Sequence, residues 1–145
     1  MTTVAIRDGV LAVDSLATQA GWKVSLNVPK LFKTRSGEVG AKIGSVASAD
    51  NFLLWMTRGR RGRPPDLKEA TVVLLSKSGK TVTVFEGDGS FQIDLIKEPF
   101  VAFGSGMAAA LGAMHAGANA RRAVEIACML DTSTGGEVCW SKVKG

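Results

Sequence analysis

Thr2-Thr3-Val4-Ala5-Ile6-Arg7-Asp8-Gly9-Val10-Leu11-Ala12-Val13-Asp14 consists of two short apolar runs on either side of Asp8-Gly9. An Asp-Gly pair tolerates the positive φ of a tight two-residue turn, so Thr3–Ile6 and Val10–Val13 read as a β-hairpin that opens the chain. Strand signals continue outward from it. Lys30–Lys33 and Val39–Val46 flank a turn at Ser36-Gly37, while Thr71–Leu75, Thr81–Phe85 and Phe91–Leu95 are separated by Ser78-Gly79 and Gly87-Asp88-Gly89, the pattern of an antiparallel meander. Helical spacing appears in three places. Ser48 is placed to cap a short helix carrying Phe52, Trp55 and Met56 that ends by Gly59. After a strand at Phe100–Phe103, Ser105 is placed to cap a helix with Met107, Ala110, Leu111 and Met114 on one face, and Asn119 one with Ala123, Val124 and Ala127. A last strand is expected at Glu137–Trp140. Strands and helices are grouped rather than alternating, which predicts an α+β layered fold and excludes a doubly wound parallel sheet.

At 145 residues the chain suits one domain, 1–145, with one core. Its single histidine leaves little for a histidine-based metal cage, and Cys128 and Cys139 have neither zinc-ligand nor redox-motif spacing, so no metal, disulfide or cofactor is expected. The first residues lack a basic segment followed by an apolar one, so a cytoplasmic protein is expected. Pro99–Ala120 is uncharged, but it is interrupted by glycines and consists largely of alanine, which reads as a buried helix and not a membrane span. The net charge of +5 is modest, and much of it lies in Arg58-Gly59-Arg60-Arg61-Gly62-Arg63-Pro64-Pro65, a loop by its glycines and prolines. Arg61-Gly62-Arg63-Pro64 has the core of a minor-groove hook, yet one hook binds weakly, and a solvated basic loop without a nucleic-acid partner is the better reading. Gly104-x-Gly106-x-x-Ala109 fits a dinucleotide fingerprint loosely but lacks the parallel βαβ unit that motif needs.

Chemistry concentrates at the start of the chain. Removing Met1 would place a free α-amine on Thr2, whose hydroxyl it could serve as general base near neutral pH. The stretch Thr2-Thr3-Val4-Ala5 followed by Gly9-Val10-Leu11-Ala12-Val13-Asp14-Ser15-Leu16-Ala17-Thr18 resembles the opening of the proteasome β-subunit and HslV-like peptidase family, the N-terminal-nucleophile threonine peptidases. Asn27-Val28-Pro29-Lys30-Leu31 resembles the segment bearing that family's active-site lysine. Phe103-Gly104-Ser105-Gly106 and Asp131-Thr132-Ser133-Thr134-Gly135-Gly136 resemble its Gly-Ser-Gly and Asp-x-x-Ser-Gly-Gly motifs, in the same order. Only roughly the middle third of the chain falls outside the resemblance.

The resemblance implies a four-layer αββα sandwich of two antiparallel sheets, the N-terminal-nucleophile hydrolase fold, with a shortened first helical layer. It implies Thr2 as nucleophile, Lys30 as the cation beside the amine, Asp14 as the partner of Lys30, and Ser105, Asp131 and Thr134 completing the site, Thr134 standing where the family usually has serine. By the same analogy Gly44 would supply an oxyanion N–H, although Gly44-Ser45 lacks the family's usual glycine doublet. Thr18 would pair its main chain with an extended substrate, and Ala17, Val28 and Ser45 would border the specificity pocket. Taken without the resemblance, Lys30 reads as a solvated strand-end lysine, Asp14 and Asp131 as turn or helix-end carboxylates, and Ser105 as a helix cap.

The implied function is a threonine-type endopeptidase subunit acting on unfolded polypeptide. It would assemble in a homo-oligomeric ring or double ring that encloses the sites. The Arg/Gly/Pro loop stands where the family has further outer helices, so docking of an ATPase unfoldase is the implied partnership that this departure weakens most. The alternative in a different class is a non-catalytic ring or shell protein that kept the fold and binds a partner or nucleic acid through Arg58–Pro65. A small-amide acylase of the same mechanistic class ranks lower, because such enzymes have longer chains and begin with Cys or Ser.

Overall fold

The computed structural model describes residues 2–145. β1 (Thr3–Arg7) and β2 (Val10–Val13) form the expected opening hairpin, with Asp8 and Gly9 at φ 53° and 74° in its turn. Patterning does not predict the hairpin that follows, β3 (Ala17–Gln19) and β4 (Trp22–Ser25). Its turn residues Ala20 and Gly21 both have positive φ, 51° and 82°, and alanine in that region carries none of the usual Asn, Asp or Gly signal.

β5 (Leu31–Lys33), β6 (Val39–Gly44), β7 (Leu67–Leu75), β8 (Thr81–Gly87) and β9 (Gly89–Asp94) pair in sequence order as a five-stranded antiparallel meander. β10 (Phe100–Gly104) and β11 (Cys139–Lys142) flank the first hairpin in a four-stranded sheet of order β10-β1-β2-β11. The molecule is therefore α+β as expected, but among the described residues it has three antiparallel sheets, since β3 and β4 stand as a pair of their own.

Three helices complete the chain among the described residues, and two of the expected caps are corrected. α1 (Val46–Thr57) is capped by Ser45, not Ser48, because Gly44 at φ 86° ends the strand early and frees Ser45 to accept from the Ser48 N–H. α2 (Met107–His115) has Gly106, not Ser105, at its N-cap position, without a side-chain cap. α3 (Ala120–Leu130) is capped by Asn119 as predicted, its side chain accepting from the Arg122 N–H at 2.8 Å. β7 starts four residues before the expected strand, through a bulge between Leu67 and Thr71, and β11 lies two residues beyond Glu137–Trp140.

The alternation of β1 and β2 determines what packs where. Val4, Ile6, Leu11 and Val13 point to one side and meet Val39, Ala41, Val73, Leu75, Val82 and Val84 of the five-stranded sheet. Ala5 and Ala12, with Ala102 of β10, point to the other side, where their small size admits Ala110 and Met114 of α2 and Ala123 and Val124 of α3. The far face of the five-stranded sheet carries Ala70, Val72 and Leu74, covered by Ala49, Phe52 and Met56 of α1. Phe52 is buried against Trp55 and Phe85, with ring centroids 5.2 and 5.0 Å away. No further helix intervenes between α1 and β7, only the Arg/Gly/Pro loop, pinned where the Trp55 indole N–H donates to the Arg61 carbonyl at 3.1 Å.

Candidate active site

The edge where β1 begins is held by backbone contact with β10. Thr3 registers with Gly104, and the Ser105 N–H donates to the Thr2 carbonyl at 2.8 Å. This close approach explains both glycines of the Gly104-Ser105-Gly106 motif. A Cβ on Gly104, already at φ 95°, would run into the Thr2 carbonyl oxygen, and one on Gly106 would run into Thr3 Oγ1. The dinucleotide reading of the same residues is thereby excluded, because every strand pairing among the described residues is antiparallel and the glycines face the chain's own first strand.

Asp14, immediately after β2, is fully buried and gathers four donors. Its Oδ1 accepts from Lys30 Nζ at 3.0 Å and the Thr3 N–H at 3.1 Å; its Oδ2 accepts from the N–H groups of Gly135 at 3.1 Å and Leu16 at 3.4 Å. Lys30 is also buried. The readings of Lys30 as solvated and Asp14 as a turn cap are thus corrected: they form a buried ion pair. Burial is the largest influence on the Lys30 ammonium and holds its pKa below the usual lysine value, with attraction and hydrogen bonding to Asp14 pulling the other way.

A second cluster stands beside it. Asp131, the residue that ends α3, accepts at Oδ2 from Ser105 Oγ at 2.6 Å and Thr134 Oγ1 at 2.5 Å, and at Oδ1 from the Ser133 N–H at 3.1 Å. Burial raises its pKa, but these hydrogen bonds together outweigh it and keep the carboxyl below the ordinary value. Thr134 Oγ1 lies 2.7 Å from Thr3 Oγ1. Since the Thr134 proton is directed to a carboxylate, which can only accept, the Thr3 hydroxyl is the donor of that pair. Thr3, which sequence reasoning missed, is therefore engaged in holding the two clusters together, through its N–H to Asp14 and its hydroxyl to Thr134. Its sequence signal is only its position next to Thr2.

Thr2 and Lys30 line a common cavity of about 280 Å³. Ala17, Thr18, Val28 and Gly44 line it as well, bringing together four of the five expected substrate-contacting residues; Ser45 does not, being occupied with the start of α1, where its N–H donates to the Glu69 carbonyl at 2.8 Å. Leu16, Pro29, Lys42 and Val46 complete the wall. Only glycine fits at position 44, because a Cβ there would meet the Glu69 carbonyl. Cys128 is not a rival nucleophile: burial, reinforced by Asp14, pushes its thiol up to about 11, so it stays protonated near neutral pH. Among the described residues no group of three His, Cys, Asp or Glu side chains is placed to hold a metal ion. The expected loss of Met1 concerns a residue outside those described, and no helix among them is long and apolar enough to cross a membrane.

No family model and no curated protein matches the chain. Solved structures do. The crystal structure of eukaryotic HslV from Trypanosoma brucei superposes with a TM-score of 0.72 at 20% identity, over 97% of this chain and 98% of that one. Thiobacillus denitrificans BPH, in complex with epoxomicin, superposes with a TM-score of 0.64 at 21% identity, over 99% of each chain. The chain has the fold of these proteins from end to end.

Proposed function

We propose that this chain, with its HslV-like fold, is a threonine-type endopeptidase subunit, a single domain of residues 1–145 arranged as a four-layer αββα sandwich. The observation that carries the reading is the meeting of Thr2 and Lys30 on one cavity, with Lys30 bound to buried Asp14 behind it. The fold shared with a peptidase over nearly the whole chain supports it.

With Met1 removed, Thr2 Oγ attacks the peptide carbonyl carbon and its proton passes to the Thr2 α-amine, directly or through a water. The C–N bond breaks, the amine returns the proton to the leaving nitrogen, and an ester to Thr2 remains for water to hydrolyse. Lys30 stabilises negative charge that develops beside it and holds the amine's pKa down. Ser105, Asp131 and Thr134 orient the amine, and Gly44 offers its N–H to the oxyanion. Thr18 pairs with an extended substrate main chain; Ala17 and Val28 border the pocket. Neither metal nor cofactor enters the reaction. The site needs enclosure to spare folded proteins, which favours a homo-oligomeric ring or double ring in the cytoplasm acting on unfolded polypeptide.

Intact mass and labelling with an epoxyketone test the reading. Loss of Met1 and one label per chain, absent in Thr2→Ala and strongly reduced in Lys30→Ala, is expected. A retained Met1 with no labelling in any assembly state would overturn it in favour of a non-catalytic member of the fold.

A further inference from the structure

We infer that Glu69, through its backbone and not its carboxylate, is a positioning residue for the oxyanion donor at Gly44, an inference that rests on the peptidase reading above. β6 ends beside the cavity with Gly44 registered against Ala70 of β7, and the Ser45 N–H donates to the Glu69 carbonyl at 2.8 Å. In an antiparallel ladder, a bond between the residues flanking a pair marks it as the kind whose own N–H and C=O groups turn away from the partner strand. The Gly44 N–H therefore points away from β7. Every second N–H along a strand shares a side, and two residues earlier the Lys42 N–H points the same way, reaching the Lys30 carbonyl at 2.9 Å. The pairing of β5 with β6 stops at Leu31 and Ala41, so no residue of β5 pairs with Gly44. Its N–H is left directed to the side where Val28, Pro29 and Lys30 line the cavity.

An uncommon backbone conformation holds that orientation. Gly44 leaves the strand at φ 86°, and a glycine by itself does not keep a peptide in one orientation. The Ser45 bond to Glu69 closes the end of the ladder just before α1 begins at Val46. Glu69 offers its carbonyl there from φ 57°, inside the bulge that inserts Lys68, Glu69 and Ala70 between the β7 residues paired with Gly87 and Glu86. Leu67 and Ala70 anchor the bulge on both sides, buried in the cluster with Ala49, Phe52 and Met56 of α1. A left-handed residue with a side chain persists only where its surroundings impose it. The Glu69 side chain is exposed and makes no hydrogen bond or ion pair among the described residues. The strained conformation thus serves the carbonyl, whose close approach is also what restricts position 44 to glycine.

The test uses the assembled protein without Met1 and one peptide substrate, with saturating epoxyketone labelling of Thr2 in parallel. Glu69→Gly takes φ above zero freely, Glu69→Asn tolerates it, and Glu69→Gln keeps the shape without the charge; each should hold kcat within about twofold. Glu69→Val and Glu69→Thr, whose branched side chains resist that region, should lower kcat about tenfold or more while KM changes little, because the interaction lost acts on the oxyanion. Affinity for a peptide aldehyde, which Thr2 converts to a tetrahedral adduct, should fall in step with kcat/KM, and affinity for the matching peptide alcohol should not. Unchanged kcat in the assembled branched variants, a change in KM alone, or a loss in Glu69→Gln or Glu69→Gly as large as theirs overturns the inference and leaves the peptidase reading standing. Where a branched variant does not assemble, the Glu69→Gln and Glu69→Gly arms decide. Absence of both labelling and cleavage in the unaltered protein would overturn the peptidase reading itself and this inference with it.

Discussion

Lys30 Nζ lies 3.0 Å from Asp14 Oδ1 in a pair whose side chains are 8% and 0% exposed. Each is the other's reason for being buried. Asp14 offsets the burial that disfavours the Lys30 ammonium, and Lys30 neutralises a carboxylate whose other partners among the described residues are the backbone N–H groups of Thr3, Leu16 and Gly135.

Breaking that pair from one side should cost more than its net contribution to the folded state. Lys30→Met leaves the Asp14 carboxylate buried without its cation, and a loss of about 3–5 kcal/mol is expected in denaturant unfolding. Lys30→Arg, which keeps the charge, should lose less. Equal stability of Lys30→Met and the parent would contradict the buried geometry.

Acid stability should depend on Asp131. Its folded pKa lies below the unfolded value of 3.8, so the folded state holds the proton less tightly than the unfolded one, and the stability this group contributes is fully present above 3.8. It is lost as pH falls through the lower folded value. Thermal melts between pH 2 and 5 should therefore show a steeper decline for the parent than for Asp131→Asn, and parallel curves would count against the hydrogen bonds from Ser105 and Thr134.

Thr134 is buried and relays the Thr3 hydroxyl to Asp131. Thr134→Val keeps the shape but strands the Thr3 O–H, at an expected cost of about 1–3 kcal/mol, whereas Thr134→Ser should stay near the parent in the same unfolding assay. Labelling of Thr2 should follow the same order.

Gly106 has no room for a methyl group: its Cβ would meet Thr3 Oγ1 and come within 3.0 Å of the Ala127 Cβ. Gly106→Ala is expected to cost about 1–3 kcal/mol by overpacking, and also to displace the first strand so that labelling of Thr2 falls. Gly112, with open space where a Cβ would go, is the control, and Gly112→Ala should be neutral or slightly stabilising within its helix.

Local signals carried most of the secondary structure. Asp8-Gly9 marked the first hairpin, and Asn119 marked the start of α3, because turn and cap chemistry acts within three or four residues and needs nothing from the rest of the chain. Where a distant segment competes, local reading failed. Ser105 has the composition of a cap, yet its N–H and hydroxyl are taken by Thr2 and Asp131. The β3–β4 hairpin was hidden because Ala20 adopts a positive φ that its residue type does not advertise.

By itself the sequence determined that the strands are antiparallel and grouped apart from the last two helices, and that Thr2, Asp14, Lys30, Ser105, Asp131 and Thr134 were the residues to watch, through spaced motifs. Only the tertiary structure decided which of them touch and at what burial, that Thr3 joins the two clusters, and that Lys42 shares a cavity with Thr2. Those contacts join residues up to 131 positions apart in the chain. Exposed lysine and aspartate are the ordinary outcome for such residues, and only packing between the sheets removes the water that would keep them apart.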